Sequence, residues 1–173
     1  MPVNGKYKYF TYEVNLLKFN FKHRFGDIIA LVRARYAPSV FNTSIPITNI
    51  VNGILSLQRN QALQLIGKTT RTGFRRIHEI LTSFLDQAIP LLQLGDLRRI
   101  QLAISKSMIL VRYQESRDQL SKGLAEELIT LLSQLSSTLV SSKVPLQTKR
   151  EIIERCRTFL DSLMVLVYIH KKR

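Results

Sequence analysis

The sequence predicts an all-α fold, a compact bundle of four to six helices that carries a basic, aromatic-rich N-terminal arm. Apolar residues recur at spacings of three and four over most of the chain after residue 46, which is typical of amphipathic helices. The chain has only 7 Gly and 5 Pro, too few for the many turns of a β-sandwich or barrel. Its 173 residues, 45% of them hydrophobic, are enough for one domain with a buried core.

Residues 1–46 are predicted to be the arm, with one short helix. Residues 6–25 contain five Lys or Arg and seven aromatic side chains. Such interleaving suits stacking on nucleic-acid bases, and it equally suits packing on the arm's own domain or on a neighbouring subunit. Asp27 can cap a short helix that Pro38 would stop, and the turn-rich segment 38–46 marks the boundary with the bundle.

The bundle is predicted to occupy residues 47–173. Its expected helices cover about 47–66, 70–93, 95–120, 124–140 and 146–170. Gly67 should end the first helix, and Pro90 can kink or end the second. The side chains expected in the core are Ile77, Leu81, Phe84, Ile104, Val111, Phe159, Leu163 and Leu166.

The charge balance points to a polyanionic partner. The chain has 26 Lys and Arg against 12 Asp and Glu, a net charge of +14. The excess is concentrated in residues 1–77, whose net charge is +10, against +4 for residues 78–173. Solubility is the other explanation, although acidic residues would serve it equally well.

Enzymatic signals are weak. The three histidines lie in separate segments without Cys, His or Asp at metal-ligand spacing. Glu126 and Glu127 are consecutive, so their side chains diverge by about 100° on a helix and do not form a paired-carboxylate site. The sequence also lacks a Gly-rich phosphate loop. We therefore expect no catalytic activity, no metal and no cofactor.

A cytoplasmic location is expected. The single cysteine, Cys156, excludes a disulfide scaffold, and it falls on the apolar face of the last helix, where a buried inert thiol is expected. The longest apolar run, residues 163–169, is far shorter than the roughly 20 residues of a membrane span. No apolar segment typical of a secretory signal follows the basic N-terminus.

Two sets of basic residues are candidates for RNA binding. On the third predicted helix, one set lies within about 40° of arc and extends over about 27 Å: Arg99, Lys106, Tyr113 and Arg117. On the second helix, Arg71, Arg75 and His78 share a face, with Lys68 just before it. Such rows can follow several phosphates, or they can simply be solvated helix faces. By contrast, Arg150, Arg155 and Arg157 lie near Glu151 and Glu154, and we expect them in exposed ion pairs.

Three stretches resemble a known family. TGFRR at residues 72–76, VRYQESR at 111–117 and the final helix over 159–171, which ends in an aromatic–His–Lys tail, resemble, in this order, segments of the small subunit of type III-A (Csm) CRISPR effector complexes. The resemblance covers about residues 67–173. Arg112 and Ser116 stand where the family has small residues, and Ile169 separates the aromatic residue from the histidine of the tail.

This resemblance implies a non-catalytic helical subunit of an antiviral ribonucleoprotein. Several copies would stack along the crRNA and target RNA and contact the backbone without reading its sequence. The partners implied are these two RNAs and other subunits of the effector complex, including further copies of the chain itself. The matched motifs assign RNA contact to Arg75, Tyr113 and Arg117. The alternative is a basic helical accessory protein of a diversity-generating retroelement, which binds RNA and a reverse transcriptase.

Overall fold

The computed structural model describes residues 34–171, in which the chain forms seven helices and no strand. The helices are α1 (Ala37–Val40), α2 (Ile47–Leu55), α3 (Arg59–Ile66), α4 (Arg71–Gln93), α5 (Leu97–Ser116), α6 (Lys122–Val140) and α7 (Leu146–His170). The predicted all-α bundle is therefore confirmed. The expected arm segment 1–25 and the helix expected after Asp27 lie outside the described residues.

One core runs through the bundle. All eight side chains that the sequence predicted to be buried are buried. The central helix is α6, which is buried on almost every side and packs against α1, α3, α5 and α7. Helix α4 lies between α5 and α7 and packs against both. This order places the outer side of α5 and the exposed side of the α4–α7 pair on the surface.

The prediction of a single helix over residues 47–66 is wrong. These residues form two helices, α2 and α3. The N–H of Ser56 still donates to the carbonyl oxygen of Asn52 at 2.9 Å, but α2 ends there. Gln58 then starts α3 through a reciprocal capping box with Gln61. The break lets α2 pack on α7 while α3 packs on both α6 and α7. Gly67 ends α3, as predicted, with a positive φ of 42°.

Pro38 was expected to stop a helix, but it lies at the start of one, whereas Pro90 was expected to kink or end the second helix and lies three residues before its end. Pro38 lies in the first turn of α1, where its missing N–H costs no hydrogen bond. Ala37 and Val40 beside it are fully buried, so the core includes residues that precede position 47. Pro90 lies inside α4, which continues to Gln93.

Glu127 of α6 holds the beginning of α1. Its carboxylate accepts hydrogen bonds from the backbone N–H groups of Arg35, Tyr36 and Ala37, the last at 2.7 Å. These N–H groups precede or open a helix and have no partner within it. Burial raises the pKa of the Glu127 carboxyl group, although the three backbone donors oppose this shift.

Arg155 of α7 holds the other end of α1. Its Nε donates to the carbonyl oxygen of Val40 at 2.6 Å, and its Nη2 donates to that of Asn42 at 2.9 Å and that of Ser39 at 3.3 Å. Arg155 is only 5% exposed, so the expectation of an exposed ion pair with Glu154 or Glu151 is wrong. The guanidinium group is buried because the end of α1 offers three carbonyl groups at its forked donors.

The loop between α5 and α6 packs against the start of α4. The N–H of Thr70 donates to the carbonyl oxygen of Gln119 at 3.1 Å, and the N–H of Ser121 donates to Oγ1 of Thr69 at 2.8 Å. A Cβ atom on Gly73 would lie 2.8 Å from the Gln119 carbonyl oxygen, which explains why the first turn of α4 has a glycine. These contacts fix the end of α5 beside the beginning of α4.

Candidate nucleic-acid interface

The outer side of α5 is a broad basic surface. The helix turns Ile100, Ile104 and Val111 into the core, so the opposite side faces solvent. We call this opposite side the α5 face; its exposed members are Arg98, Arg99, Gln101, Leu102, Ser105, Lys106, Ile109, Arg112, Tyr113, Ser116 and Arg117. The face contains all four residues of the predicted α5 set, and five of its eleven side chains are cationic. The helix therefore presents these charges on a single rigid element.

Two members of the α5 face contact each other. Arg117 donates through Nη1 to the hydroxyl oxygen of Tyr113 at 3.0 Å, and its guanidinium carbon lies 5.5 Å from the centre of the ring. This cation–π contact orders an exposed arginine at the end of α5. The Tyr113 side chain remains about half exposed, at 51%. An aromatic surface and a cation are thus available side by side.

The cations at the other end of the face are open to solvent. The side chain of Arg99 is 74% exposed, and its Nε lies 4.0 Å from Oδ2 of Asp96, at the limit of an ion pair. Within residues 34–171, Lys106 has no ion-pair partner. Both side chains border a shallow groove between α4 and α5 of about 410 Å³. The structure therefore brings these two predicted residues to the edge of one groove.

The α4 cations of the prediction lie beside α7 and each has a partner. Lys68 forms an ion pair with Asp118, and Arg75 forms one with Glu79 through Nε at 2.7 Å. That hydrogen bond with Glu79 is the main cause that raises the pKa of Arg75. Arg71 donates through Nη2 to the carbonyl oxygen of Tyr168 at 2.7 Å. Part of the charge of this cluster is consequently neutralised inside the fold.

His78, which was expected to share this face, has an acidic partner from α7. Its Nε2 lies 2.7 Å from Oδ1 of Asp161. The ring is largely covered, with 17% of the side chain exposed. His78 therefore links α4 to α7 and adds little to the basic surface.

Tyr168 and Lys171 belong to the same cluster, and the sequence did not assign them to a site. The guanidinium carbon of Arg71 lies 5.0 Å from the centre of the Tyr168 ring. Leu163 and Leu166 of α7 are buried, and Tyr168 lies off this apolar face. That position was the only indication in the sequence that the Tyr168 side chain is exposed. Its pairing with Arg71, 97 positions earlier in the chain, follows only from the tertiary fold.

Three basic residues of α7 are paired or partly covered, unlike most cations of the α5 face. Arg157 pairs with Asp86 of α4 and not with a glutamate of its own helix, so the predicted partner is wrong. Arg150 is partly buried, and its Nε has no hydrogen-bond partner in the structure. Together with buried Arg155, these residues contribute to packing between helices.

The described residues offer no exposed thiol and no metal-binding cluster beside these basic surfaces. Cys156 is fully buried, as predicted, and burial raises the pKa of its thiol far above the ordinary value, which disfavours the nucleophilic thiolate. Residues 34–171 contain no group of three or more His, Cys, Asp or Glu side chains placed to hold a metal ion. In the same range, no helix is both long enough and apolar enough to cross a membrane.

No model of a protein family, no curated protein and no solved structure shows a significant match to this chain.

Proposed function

We propose that this protein binds RNA through its backbone, with the α5 face as the principal contact surface. The observation that carries the proposal is the presence of five exposed cations on one side of one rigid helix, of which only Arg112 has a close carboxylate partner, Glu115 at 2.8 Å. From Arg99 to Arg117 the helix extends about 27 Å, which is long enough to follow several phosphates of one strand. Each phosphate that is neutralised releases condensed cations, and this release favours binding.

The context we propose is the small subunit of a type III CRISPR effector complex. The resemblance of residues 72–76, 111–117 and 159–171 to that family supports this context. Of the matched residues, Tyr113 and Arg117 lie on the α5 face, and Arg75, Tyr168 and Lys171 lie where α4 and α7 meet. Flexible Lys and Arg side chains on an even helical surface suit phosphates more than base edges. The proposed role is therefore non-catalytic and independent of RNA sequence.

The binding proposal is tested by the salt dependence of affinity for a single-stranded RNA. The logarithm of affinity should fall linearly with the logarithm of salt concentration, by about 0.7 for each phosphate contact. The double variant Arg99→Ala, Lys106→Ala should reduce that slope by about one to two units and weaken binding to all sequences alike. Fluorescence anisotropy over a salt series measures both quantities.

The matched control is the double variant Arg59→Ala, Lys143→Ala. Both side chains are exposed, both lie outside α5, and their removal lowers the net charge by the same amount. This control should leave the slope nearly unchanged. Equal losses in the two double variants would show that net charge, not the α5 face, determines the affinity.

The proposed assembly is tested by native mass spectrometry of the protein expressed with its genomic neighbours. A complex that contains crRNA, larger effector subunits and several copies of this chain is expected. A closed ring of this chain alone, bound to a reverse transcriptase, would overturn the CRISPR context in favour of the retroelement alternative.

A further inference from the structure

Two neighbouring cavities between α4 and α7 share Tyr168 as a common wall. The first, of about 660 Å³, is lined by the cations Lys68, Arg71 and Lys171, and no acidic side chain is among its lining residues in the described chain. The second, of about 620 Å³, is lined largely by apolar side chains of α7. Both volumes fall in the range of small-ligand sites, about 300–1,000 Å³.

The first cavity has cationic charge that the fold does not neutralise. Lys68 has Asp118 as a partner, but Lys171 donates to the carbonyl oxygen of Gly67, and Arg71 donates to that of Tyr168. Carbonyl groups accept hydrogen bonds without cancelling charge. The Nε of Arg71 is buried and has no acceptor in the structure. This cavity therefore favours a dianionic or monoanionic group such as a phosphate.

The second cavity exposes an apolar surface next to the first. Val165 is 44% exposed, Ile169 is 62% exposed, and Tyr168 is 41% exposed although Arg71 lies over its ring. Met164 completes the apolar wall on α7, while His78 and the Arg75–Glu79 ion pair line the cavity from α4. A flat ring with polar edges, such as a nucleobase, matches a wall of this composition.

We propose that these cavities together bind one unpaired nucleotide, with its phosphate beside Arg71 and Lys171 and its base against Tyr168 and Ile169. This inference rests on the proposed RNA binding and adds to it a preference for single strands. Bases in a duplex are stacked and paired, so they cannot reach the apolar wall, whereas unpaired bases stack readily on aromatic side chains. The α5 face, in contrast, contacts phosphates and accepts either form.

The test compares an unstructured oligouridine with a blunt RNA duplex at one salt concentration, using the full chain. Tyr168→Ala should weaken binding of the single strand by about 5- to 100-fold, the effect of losing one stacked base, and leave duplex binding unchanged. Tyr168→Phe keeps the ring and should retain most of the single-strand affinity. Thermal unfolding of each variant checks that the fold is intact.

A second variant keeps the test decisive if Tyr168→Ala does not fold. Lys171→Ala leaves the ring in place and should lower single-strand affinity more than Lys143→Ala, which removes an equal charge elsewhere. Unchanged single-strand binding in the folded Tyr168 and Lys171 variants would overturn the inference. If the wild-type chain binds neither RNA, the proposed function itself fails. If Arg99→Ala, Lys106→Ala weakens both RNAs and the Tyr168 variant weakens neither, only the present inference fails.

Discussion

Glu127 and Arg155 lie buried against α1, whereas Arg99 and Lys106 lie exposed on α5, and the two pairs show different uses of charge in one bundle. Around α1 the carboxyl group of Glu127 and the guanidinium group of Arg155 form hydrogen bonds with backbone groups at the two ends of the helix, among them the N–H of Ala37 and the carbonyl oxygen of Val40. On α5, the side chains of Arg99 and Lys106 form no comparable hydrogen bonds with backbone groups of another helix within the described residues. Polar side chains that form hydrogen bonds with backbone groups at the ends of α1 are therefore structural, whereas the cations of α5 remain available to a partner.

The comparison also bears on the net charge of +14. Arg155 is enclosed by the protein, and Arg75, Arg112 and Arg157 already have carboxylate partners. A polyanion therefore meets a smaller and more localised charge than the total indicates. Position on the fold, more than the count of basic residues, should determine affinity.

The largest expected effect comes from removing the buried guanidinium group. Arg155→Ala would leave the buried carbonyl group of Val40 without its donor, and it would remove one of the donors to the partly buried carbonyl groups of Ser39 and Asn42. We expect a loss of about 2–3 kcal/mol in the free energy of unfolding, because an unsatisfied buried polar group costs about 1–3 kcal/mol and two further hydrogen bonds to the guanidinium group are lost as well. Urea denaturation followed by circular dichroism measures this loss.

The control for that prediction is Arg157→Ala, two positions along the same helix. Arg157 pairs with Asp86 at the surface, where ion pairs contribute little to stability. Its removal should leave the urea midpoint nearly unchanged. Similar losses in the two variants would show that the hydrogen bonds to α1 do not distinguish Arg155.

A smaller effect, on RNA affinity, is expected from removing the carboxylate partner of an exposed arginine. Glu79→Gln removes the partner of Arg75 while leaving the arginine in place. RNA affinity should rise a few-fold at low salt and the gain should disappear at high salt, because exposed charges are screened. Fluorescence anisotropy at two salt concentrations measures the change.

Glu151→Gln provides the matched variant for this measurement. It removes the same negative charge from an exposed position on α7, away from the proposed interface. If both substitutions increase the affinity equally, the ion pair with Glu79 does not limit the contribution of Arg75 to binding.

The helical core could be predicted from the sequence because burial follows periodicity. Ile77 and Leu81 lie four residues apart on α4, and Phe159 lies on the apolar face of α7. The tertiary structure buries all three side chains, as predicted. The break between α2 and α3 could not be predicted, since apolar spacing continues across residues 56–58 and the capping residue is Gln58, an uncommon choice. Local propensity is weak at such a boundary, and packing against α6 and α7 decides it.

The candidate interface could be predicted only in part. The α5 set follows from helical geometry within one segment, so its shared exposure was predictable. Arg155 lies next to Cys156 on the buried side of α7, but a charged residue at such a position is normally assigned to the surface. Tyr168 reaches Arg71 only because α4 and α7 pack together, and a single sequence carries no local signal of that contact.

The smallest expected effect is a pH dependence that originates at Glu127. Its pKa is raised in the folded protein above the ordinary value of 4.5, mainly because burial disfavours the ionised carboxylate. Between 4.5 and that raised value the native state binds a proton that the unfolded chain has released, so the contribution of Glu127 to stability falls as pH rises. The variant Glu127→Gln cannot titrate. The unfolding free energy of the wild type minus that of the variant should therefore be largest below pH 4.5 and decrease as pH rises through the raised pKa of Glu127.

Urea denaturation of the wild type and the Glu127→Gln variant at several pH values measures this difference, and titrations elsewhere in the chain cancel in the subtraction. A difference that increases with pH would mean that the three backbone donors of α1 stabilise the carboxylate more than burial disfavours it. Glu127 would then serve as an ionised cap of α1, and the buried region would resemble the α5 face in retaining its full charge at neutral pH. A decrease with rising pH would instead keep the two regions distinct, because burial would then disfavour the carboxylate of Glu127 more than the three backbone donors stabilise it, a cost that the exposed α5 cations do not bear.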